Sequence, residues 1–251
     1  MNLDDLPSTV VGYVRYLDAA AAEQLGSALI GTYLHGSGAL GGFSASRSDI
    51  DLLMVVSTET AVADHAWHCI AASVRHAPCP ARGVEVSLVD AGDARAPAEP
   101  WPFLLHIATG PNDPKAVSGR GHDGDRDLLM HYAVTRVAGI AIRGPDPQDA
   151  IGTVDRSAIL AYLADELSWA TANASEAYVV LNAGRALRYL HDGQFVSKID
   201  GADEAIAAGA PLDLVARALA SQRGTRPDRR PSPPAVAFAR DVSSKLQRQA
   251  G

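Results

Sequence analysis

Two aspartates separated by one residue are the first candidates for chemistry in this sequence. Asp49 and Asp51 open the apolar run DIDLLMVV at residues 49–56. If that run is a β-strand, both carboxylates leave the same face, roughly 7 Å apart along the strand. Carboxylate oxygens suit hard divalent cations, and Mg²⁺ takes one or two of them together with phosphate oxygens and water. The pair therefore predicts a Mg²⁺ site.

A glycine–serine pair upstream and a glutamate downstream complete the candidate site. Gly36 and Ser37 begin a Gly- and Ser-rich turn that ends at Ser48. Glycine lets backbone N–H groups come close to a phosphate, and the serine adds a hydroxyl. Glu85 lies inside the alternating run GVEVSLVD at residues 83–90. There it either completes the metal site or acts as a general base toward an attacking hydroxyl.

Hydrophobic periodicity predicts the elements that hold these residues. Apolar runs predict strands over residues 28–35, 49–56, 83–90 and 103–108. Helical spacing predicts helices over residues 9–25, 59–76 and 125–138, and the Gly, Pro and Asp content of residues 110–124 predicts a loop. The fold class expected from this order is an α/β (α+β) domain with a mixed sheet.

The pattern of apolar residues changes after the segment RGPDP at residues 143–147, and this predicts a domain boundary near residue 150. Only helical patterns follow, over residues 155–172, 175–191, 201–222 and 232–247. The basic segment around residues 223–230 is expected to be an exposed loop or flexible linker. We therefore expect residues 1–150 to form the α/β domain and residues 151–251 to form an all-α helical bundle domain.

Composition narrows the class of protein. The 251 residues include 22 Lys and Arg against 29 Asp and Glu, a net charge of −7, and 47% are hydrophobic. These values are typical of globular proteins and exclude a disordered chain. The acidic balance argues against nucleic acid as a partner. Two cysteines without a CxxC pair and the lack of a signal peptide predict a cytoplasmic protein, and the lack of a long apolar run predicts no membrane partner. We expect a monomer.

Taken in order, these motifs resemble the DNA polymerase β-like nucleotidyltransferases. They are most similar to the aminoglycoside nucleotidyltransferases of the streptomycin/spectinomycin 3''-adenylyltransferase type. The supporting segments are HGSGALGGFSASRSDIDLLMVV at 35–56, GVEVSLVD at 83–90, DRDL at 125–128, RVAGIAIRGP at 136–145 and VVLNAGRALRYLHDGQFVSK at 179–198. The resemblance extends to about residue 200. It implies an enzyme that transfers AMP from ATP to a hydroxyl of an aminoglycoside or aminocyclitol antibiotic and releases pyrophosphate.

The resemblance also implies roles for the residues of the first motif. Gly36, Ser37 and Ser48 match the residues that bind the phosphates of ATP. Asp49 and Asp51 match the carboxylates that hold Mg²⁺ ions bridging the triphosphate. ATP and Mg²⁺ are accordingly the expected cofactors.

The later motifs match an acid–base group and the charges around the nucleotide. Glu85 matches the catalytic carboxylate that deprotonates the antibiotic hydroxyl, and Asp127 matches an acidic residue that lines the site. Arg185 and Lys198 match the cations that close over the triphosphate. This agrees with general chemistry, because Arg binds phosphate through two hydrogen bonds and Lys acts as a point charge.

The antibiotic contacts depart from the family pattern. The family's streptomycin contacts include a Trp after the fourth strand and an Asp at the start of the second C-terminal helix. Residues 106–110 here read HIATG, without a Trp, and the helix start has Ser175. Antibiotic cations require acidic pocket walls. The candidate substrate contacts are therefore Glu85, His106 and Glu176, with Asp165 or Glu166 as further acidic candidates.

Two other functions are compatible with the motifs. The same transfer chemistry can act on a protein or a tRNA end, as in toxin-type nucleotidyltransferases. A catalytically silent nucleotide sensor is the second alternative. The intact carboxylate set argues against a sensor, because binding alone does not require Glu85.

Overall fold

A mixed β-sheet runs through residues 1–154 of the computed structural model, which describes residues 1–57, 62–110 and 114–251. The strands found among the described residues are β1 (Leu29–His35), β2 (Asp49–Val56), β3 (Gly83–Asp90), β4 (Leu105–Ala108), β5 (Lys115–Ser118) and β6 (Ile140–Arg143). Their order is β5-β4-β3-β2-β1-β6. The central strands β2 and β3 are parallel, and the other neighbouring pairs are antiparallel. The prediction of a mixed sheet is confirmed.

Helices cover both faces of this sheet. Those of residues 1–154 are α1 (Ser8–Leu25), α2 (Gly36–Leu40), α3 (Asp64–His76), α4 (Ala91–Arg95), α5 (Leu128–Ala138) and α6 (Pro147–Ala150), with 3₁₀ turns at Leu3–Asp5 and Gly26–Ala28. Helix α1 is followed by Gly26, whose φ of +53° is energetically unfavourable for any residue with a Cβ. α1 packs against α3, and α5 packs against β1 and α2.

Alternation along the central strands separates the hydrophobic core from the candidate site. Ile50 and Leu52 are buried in the core formed with α1 and α3. The residues between them in β2, Asp49 and Asp51, leave the opposite face and are only half-buried, as is Glu85 in β3. Burial of one face therefore fixes the register that presents the carboxylates on the other.

Two short edge strands were not predicted. The segment 110–124 was expected to be a loop, but Lys115–Ser118 pairs with β4; residues 111–113 lie outside the described residues. Ile140–Arg143 pairs with β1. Both segments are short and lie among Gly and Pro residues that indicate a loop, so pairing with a neighbour decides their conformation.

Residues 155–251 are all described and form helices without a strand. The helices are α7 (Arg156–Asn173), α8 (Glu176–Asp192), α9 (Gly201–Ala207), α10 (Leu212–Gln222) and α11 (Pro233–Ala250). α11 packs against α7 and α8, while α9 and α10 pack against α8. The helix expected over residues 201–222 is interrupted, because Gly209 adopts a φ of +89° and Pro211 lacks an N–H. The contacts divide the chain at Val154–Asp155, and an independent helical bundle domain stays a prediction.

The remaining boundaries differ from the predicted ones by a few residues. The helix expected over residues 59–76 begins at Asp64, and residues 58–61 lie outside the described residues. The helix expected from residue 125 begins at Leu128. No helix among the described residues has the length and apolarity that crossing a membrane requires.

Candidate active site

The three predicted carboxylates of the first motifs lie together at one end of the central strands. Asp51 is the direct neighbour of Glu85 in the parallel β2–β3 pair, and Asp49 pairs with Gly83. Neighbouring strands are about 4.8 Å apart, so these carboxylates share one small patch of the sheet. The structure thus brings together residues that are 34 positions apart in the sequence.

The turn after β1 approaches Asp51 closely. His35 pairs with Asp51 across β1 and β2, and Gly36 follows with a φ of +57°. A Cβ at Gly36 would overlap the carboxylate of Asp51, so any other residue here would displace that carboxylate and would adopt an unfavourable φ. The Oγ of Ser37 is buried and has no hydrogen-bond partner among the described residues. This hydroxyl is therefore available to a ligand that enters the turn.

An arginine that the sequence motifs did not indicate binds Asp49. Arg82 Nε donates to Asp49 Oδ1 at 3.1 Å, and its Nη2 donates to Asp49 Oδ2. Bidentate pairs of this kind hold both groups in a fixed geometry. Ser48 precedes Asp49, and its hydroxyl accepts a hydrogen bond from the Ser44 backbone N–H at 3.1 Å. The position of Arg82 directly before β3 was the available signal, but an isolated arginine there has no distinguishing spacing.

Glu85 faces two histidines from different elements. Its Oε1 lies 3.6 Å from Nε2 of His131 on α5 and 4.0 Å from Nε2 of His106 on β4. His106 was a predicted substrate contact, whereas His131 was not predicted at all. Nothing in the sequence around His131 marks it, because a histidine on an otherwise apolar helix is common.

The side chains of His35 and His106 are buried. Burial lowers the pKa of His106, as do the charges of Lys115 and His131, while the carboxylates of Glu85 and Asp125 oppose this. Burial, followed by the charge of His131, holds the pKa of His35 well below its ordinary value. The rings of His35 and His131 are in contact, with centroids 4.8 Å apart. Both buried imidazoles, His35 and His106, are therefore neutral near pH 7.

A cleft of about 190 Å³ opens beside Asp49, Glu85 and His106. Acidic and basic side chains share its wall, which suits a ligand that has both anionic and cationic groups. Asp127, a predicted site residue, contributes to the wall from the start of α5, where its backbone N–H donates to Asp125 Oδ1 at 3.0 Å. The lining residues are Asp49, Arg82, Val84, Glu85, His106, Ala108, Gly110, Lys115, Asp125 and Asp127.

The chemistry of the donors fits Mg²⁺, although no group of three or more His, Cys, Asp or Glu among the described residues is already arranged around one metal position. Asp51 supplies hard oxygen donors on the strand face that it shares with Asp49, whose two carboxylate oxygens also accept hydrogen bonds from Arg82. The close approach of Gly36 to the Asp51 carboxylate leaves that carboxylate beside a turn that can accept phosphate oxygens. The residues present can therefore hold the ion together with a phosphate-bearing ligand.

The predicted cations of the second unit have contacts within that unit. Arg185 Nε donates to the Val196 carbonyl at 2.9 Å, and its Nη1 donates to Asn182 Oδ1 at 2.9 Å. Lys198 Nζ lies 4.9 Å from the centroid of the Tyr178 ring. Both side chains are thus held by α8 and by the segment that follows it.

Glu176, another predicted substrate contact, is only 2% exposed. Its carboxylate lies 3.4 Å from Nε of Arg217 and 3.7 Å from Nε of Arg229, and it accepts a hydrogen bond from the Ser232 backbone N–H at 3.0 Å. Burial raises the pKa of Glu176, but hydrogen bonding to Ser232 and Arg217 and the charge of Arg229 outweigh burial and hold this pKa below its ordinary value. Glu176 lines a cavity of about 190 Å³ together with Arg217 and Arg229, and its role as a substrate contact stays a prediction.

Comparison with known proteins identifies the fold. No family model matches the sequence, and no curated protein matches it. Among solved structures, the spectinomycin adenyltransferase AAD(9) from Enterococcus faecialis, solved with ATP and spectinomycin, matches with a TM-score of 0.68 at 18% identity. This chain has an adenyltransferase fold. The match covers 94% of this chain and 98% of that chain, so the resemblance drawn from the motifs is confirmed for the fold.

Proposed function

We propose that this protein transfers AMP from ATP to a hydroxyl group of an aminoglycoside or aminocyclitol antibiotic. The observation that supports this most strongly is the pairing of Asp51 with Glu85 across β2 and β3, next to the Gly36–Ser37 turn. A phosphate-binding turn, a metal-binding carboxylate and a basic carboxylate are the groups that nucleotidyl transfer requires. The adenyltransferase fold supports the same reaction class.

Each of these residues has a part in the proposed reaction. Gly36 and Ser37 bind phosphate oxygens, and Asp49 and Asp51 hold Mg²⁺. Bound Mg²⁺ would neutralise charge on the triphosphate. Glu85 accepts the proton of the antibiotic hydroxyl, whose oxygen forms the new bond to the α-phosphorus while the bond to pyrophosphate breaks. Pyrophosphate leaves with the electron pair of that bond.

We also propose that cations outside the first motif bind the triphosphate. The resemblance assigns Arg185 and Lys198 to the triphosphate, and we propose this role for them here. Lys115 in the cleft wall provides further positive charge. In an acidic protein such local cations are required to offset the repulsion of ATP.

Pyrophosphate release in the presence of ATP, Mg²⁺ and a panel of antibiotics tests the proposal. We expect turnover with at least one aminocyclitol or aminoglycoside. Asp51→Asn is expected to lower kcat at least a thousandfold by removing a metal ligand, and Glu85→Gln about a hundredfold by removing the general base. Asp241→Asn is the matched control, because Asp241 is an exposed acid on α11 that pairs with Lys245.

Labelled ATP separates the alternatives in the same experiment. Label that appears on tRNA or on protein in a cell lysate, and not on any antibiotic, would replace the proposed acceptor. ATP binding without pyrophosphate release toward any acceptor would indicate a nucleotide sensor. Full activity of the Asp51→Asn and Glu85→Gln variants would refute the assigned site.

A further inference from the structure

The carboxylate of Glu85 is approached by two imidazoles at the same oxygen. His131 Nε2 lies 3.6 Å and His106 Nε2 lies 4.0 Å from Glu85 Oε1. The two histidines come from α5 and β4, so the carboxylate is flanked from two independent elements. These distances exceed a formed hydrogen bond, but catalytic hydrogen bonds often lengthen without substrate and tighten when the reacting complex forms.

The two nitrogens of His106 face Ser87 and Glu85, and these two neighbours together favour one tautomer. Ser87 Oγ and His106 Nδ1 are 3.1 Å apart, and both residues are buried. A neutral imidazole has one donor nitrogen and one acceptor nitrogen. If Nδ1 donated to Ser87, the lone pair of Nε2 would point at a carboxylate. If instead the Ser87 hydroxyl donates to Nδ1, the hydrogen on Nε2 points at Glu85 Oε1, and both contacts are favourable.

The surroundings keep these rings in place. Pairing of β3 with β4 puts Ser87 directly opposite His106. The ring of His131 is held against His35, with centroids 4.8 Å apart, and its Nδ1 is buried with no hydrogen-bond partner among the described residues. The ring nitrogen of His131 that has a polar neighbour is therefore Nε2, which faces Glu85.

We propose that His106, oriented by Ser87, and His131 are positioning residues that fix Oε1 of Glu85, so that the second carboxylate oxygen is directed to the acceptor hydroxyl. This inference rests on the proposed function for its consequence in catalysis, but its geometry does not depend on activity. Proton abstraction needs the base within hydrogen-bond reach of the hydroxyl. A carboxylate rotating freely about its last torsion would satisfy that condition only part of the time.

A spectroscopic test addresses the geometry without turnover. In ¹⁵N-labelled wild-type protein at pH 7, we expect His106 to be neutral with its proton on Nε2. Ser87→Ala should shift His106 toward the other tautomer, Ser87→Thr should restore it, and Glu85→Gln should shift the His106 and His131 signals. The proposal would be overturned if His106 in the wild type were protonated or had its proton on Nδ1. It would also be overturned if the His106 and His131 signals did not change in Glu85→Gln.

A kinetic test addresses the consequence. His106→Leu and His131→Leu should each lower kcat tenfold or more with little change in the KM for ATP, because Glu85 does not bind phosphate in this scheme. His106→Gln should recover part of kcat, since its amide can still donate toward Glu85. His76→Leu is the control, because His76 is exposed on α3 and its Nδ1 contacts the Ala72 carbonyl of the same helix.

The two proposals fail in different ways. If the wild type transfers AMP but the His106, His131 and Ser87 variants retain full kcat, the positioning role is wrong and the proposed function stands. If the wild type shows no transfer to any acceptor, the proposed function is wrong. In that case the tautomer measurement still decides whether the two imidazoles are fixed on Glu85.

Discussion

Gly36 is the residue at which backbone conformation and proposed chemistry depend on each other most directly. Its φ is +57°, and the space that a side chain would require is occupied by the Asp51 carboxylate. The turn can therefore lie against a proposed metal ligand only because position 36 lacks a Cβ. Glycine is needed here for both conformation and contact, which is a stronger constraint than either alone.

We predict that Gly36→Ala lowers kcat/KM for ATP at least tenfold, because the new methyl group displaces the Asp51 carboxylate. The left-handed conformation itself costs alanine about 1–2 kcal/mol. Gly193→Ala is the matched control, since Gly193 has a φ of +75° and a Cβ there would meet no atom within 4 Å. Both variants should lose similar stability in urea unfolding, but only Gly36→Ala should lose activity. Equal activity of the two variants would contradict the role given to the Gly36–Asp51 contact.

At the scale of elements, the start of α8 anchors the segment that precedes α11. Ser175 caps α8 by accepting a hydrogen bond from the Tyr178 N–H, and the Glu176 backbone N–H donates to the Arg229 carbonyl. The Glu176 carboxylate then binds Arg217, Arg229 and Ser232. The segment 223–230, expected to be an exposed loop or flexible linker, is an exposed loop that a buried carboxylate holds in place.

We predict that Glu176→Gln destabilises the protein by about 1–3 kcal/mol, because it leaves two arginine side chains without their buried counter-charge. Asp213→Asn removes the exposed partner of Arg217 and should leave the unfolding midpoint unchanged. The pKa of Glu176 is lowered in the folded protein, so its stabilising effect is present at neutral pH and is lost as the pH falls through that lowered pKa. Urea unfolding at pH 7 and in acid should show the difference between wild type and Glu176→Gln narrowing. A constant difference would contradict this account.

At the scale of the whole molecule, the net charge of −7 gives the protein a long-range attraction for cations. Aminoglycosides are polycations, whereas ATP is an anion that needs local arginines, lysines and metal. The two proposed substrates should consequently respond differently to salt. Screening weakens such long-range attraction, since the Debye length falls from about 10 Å at 0.1 M to about 3 Å at 1 M salt.

We predict that raising the ionic strength from 0.05 to 0.5 M increases the KM for a polycationic antibiotic several-fold, as an order-of-magnitude expectation from screening. The KM for ATP should not rise in parallel, because its contacts are short-range. Steady-state kinetics with each substrate varied in turn measures both values. An antibiotic KM that does not change with salt would show that the overall charge does not contribute to substrate capture.

Much of the fold could be predicted from periodicity. The two central strands occupy the predicted residues 49–56 and 83–90, because long runs buried on one face have an unambiguous pattern. The strands Lys115–Ser118 and Ile140–Arg143 could not be predicted in the same way, since four residues hold too little pattern to outweigh glycine- and proline-rich surroundings.

The candidate site likewise has a part that periodicity predicts and a part that depends on tertiary contacts. The shared strand face of Asp49 and Asp51 could be predicted without a structure, because it follows from the two-residue period of a strand. Folding alone, by contrast, brings Arg82 to Asp49, His131 to Glu85 and arginines around Glu176. These contacts join residues from separate elements. Their formation depends on strand pairing and helix packing, for which local sequence spacing contains no information.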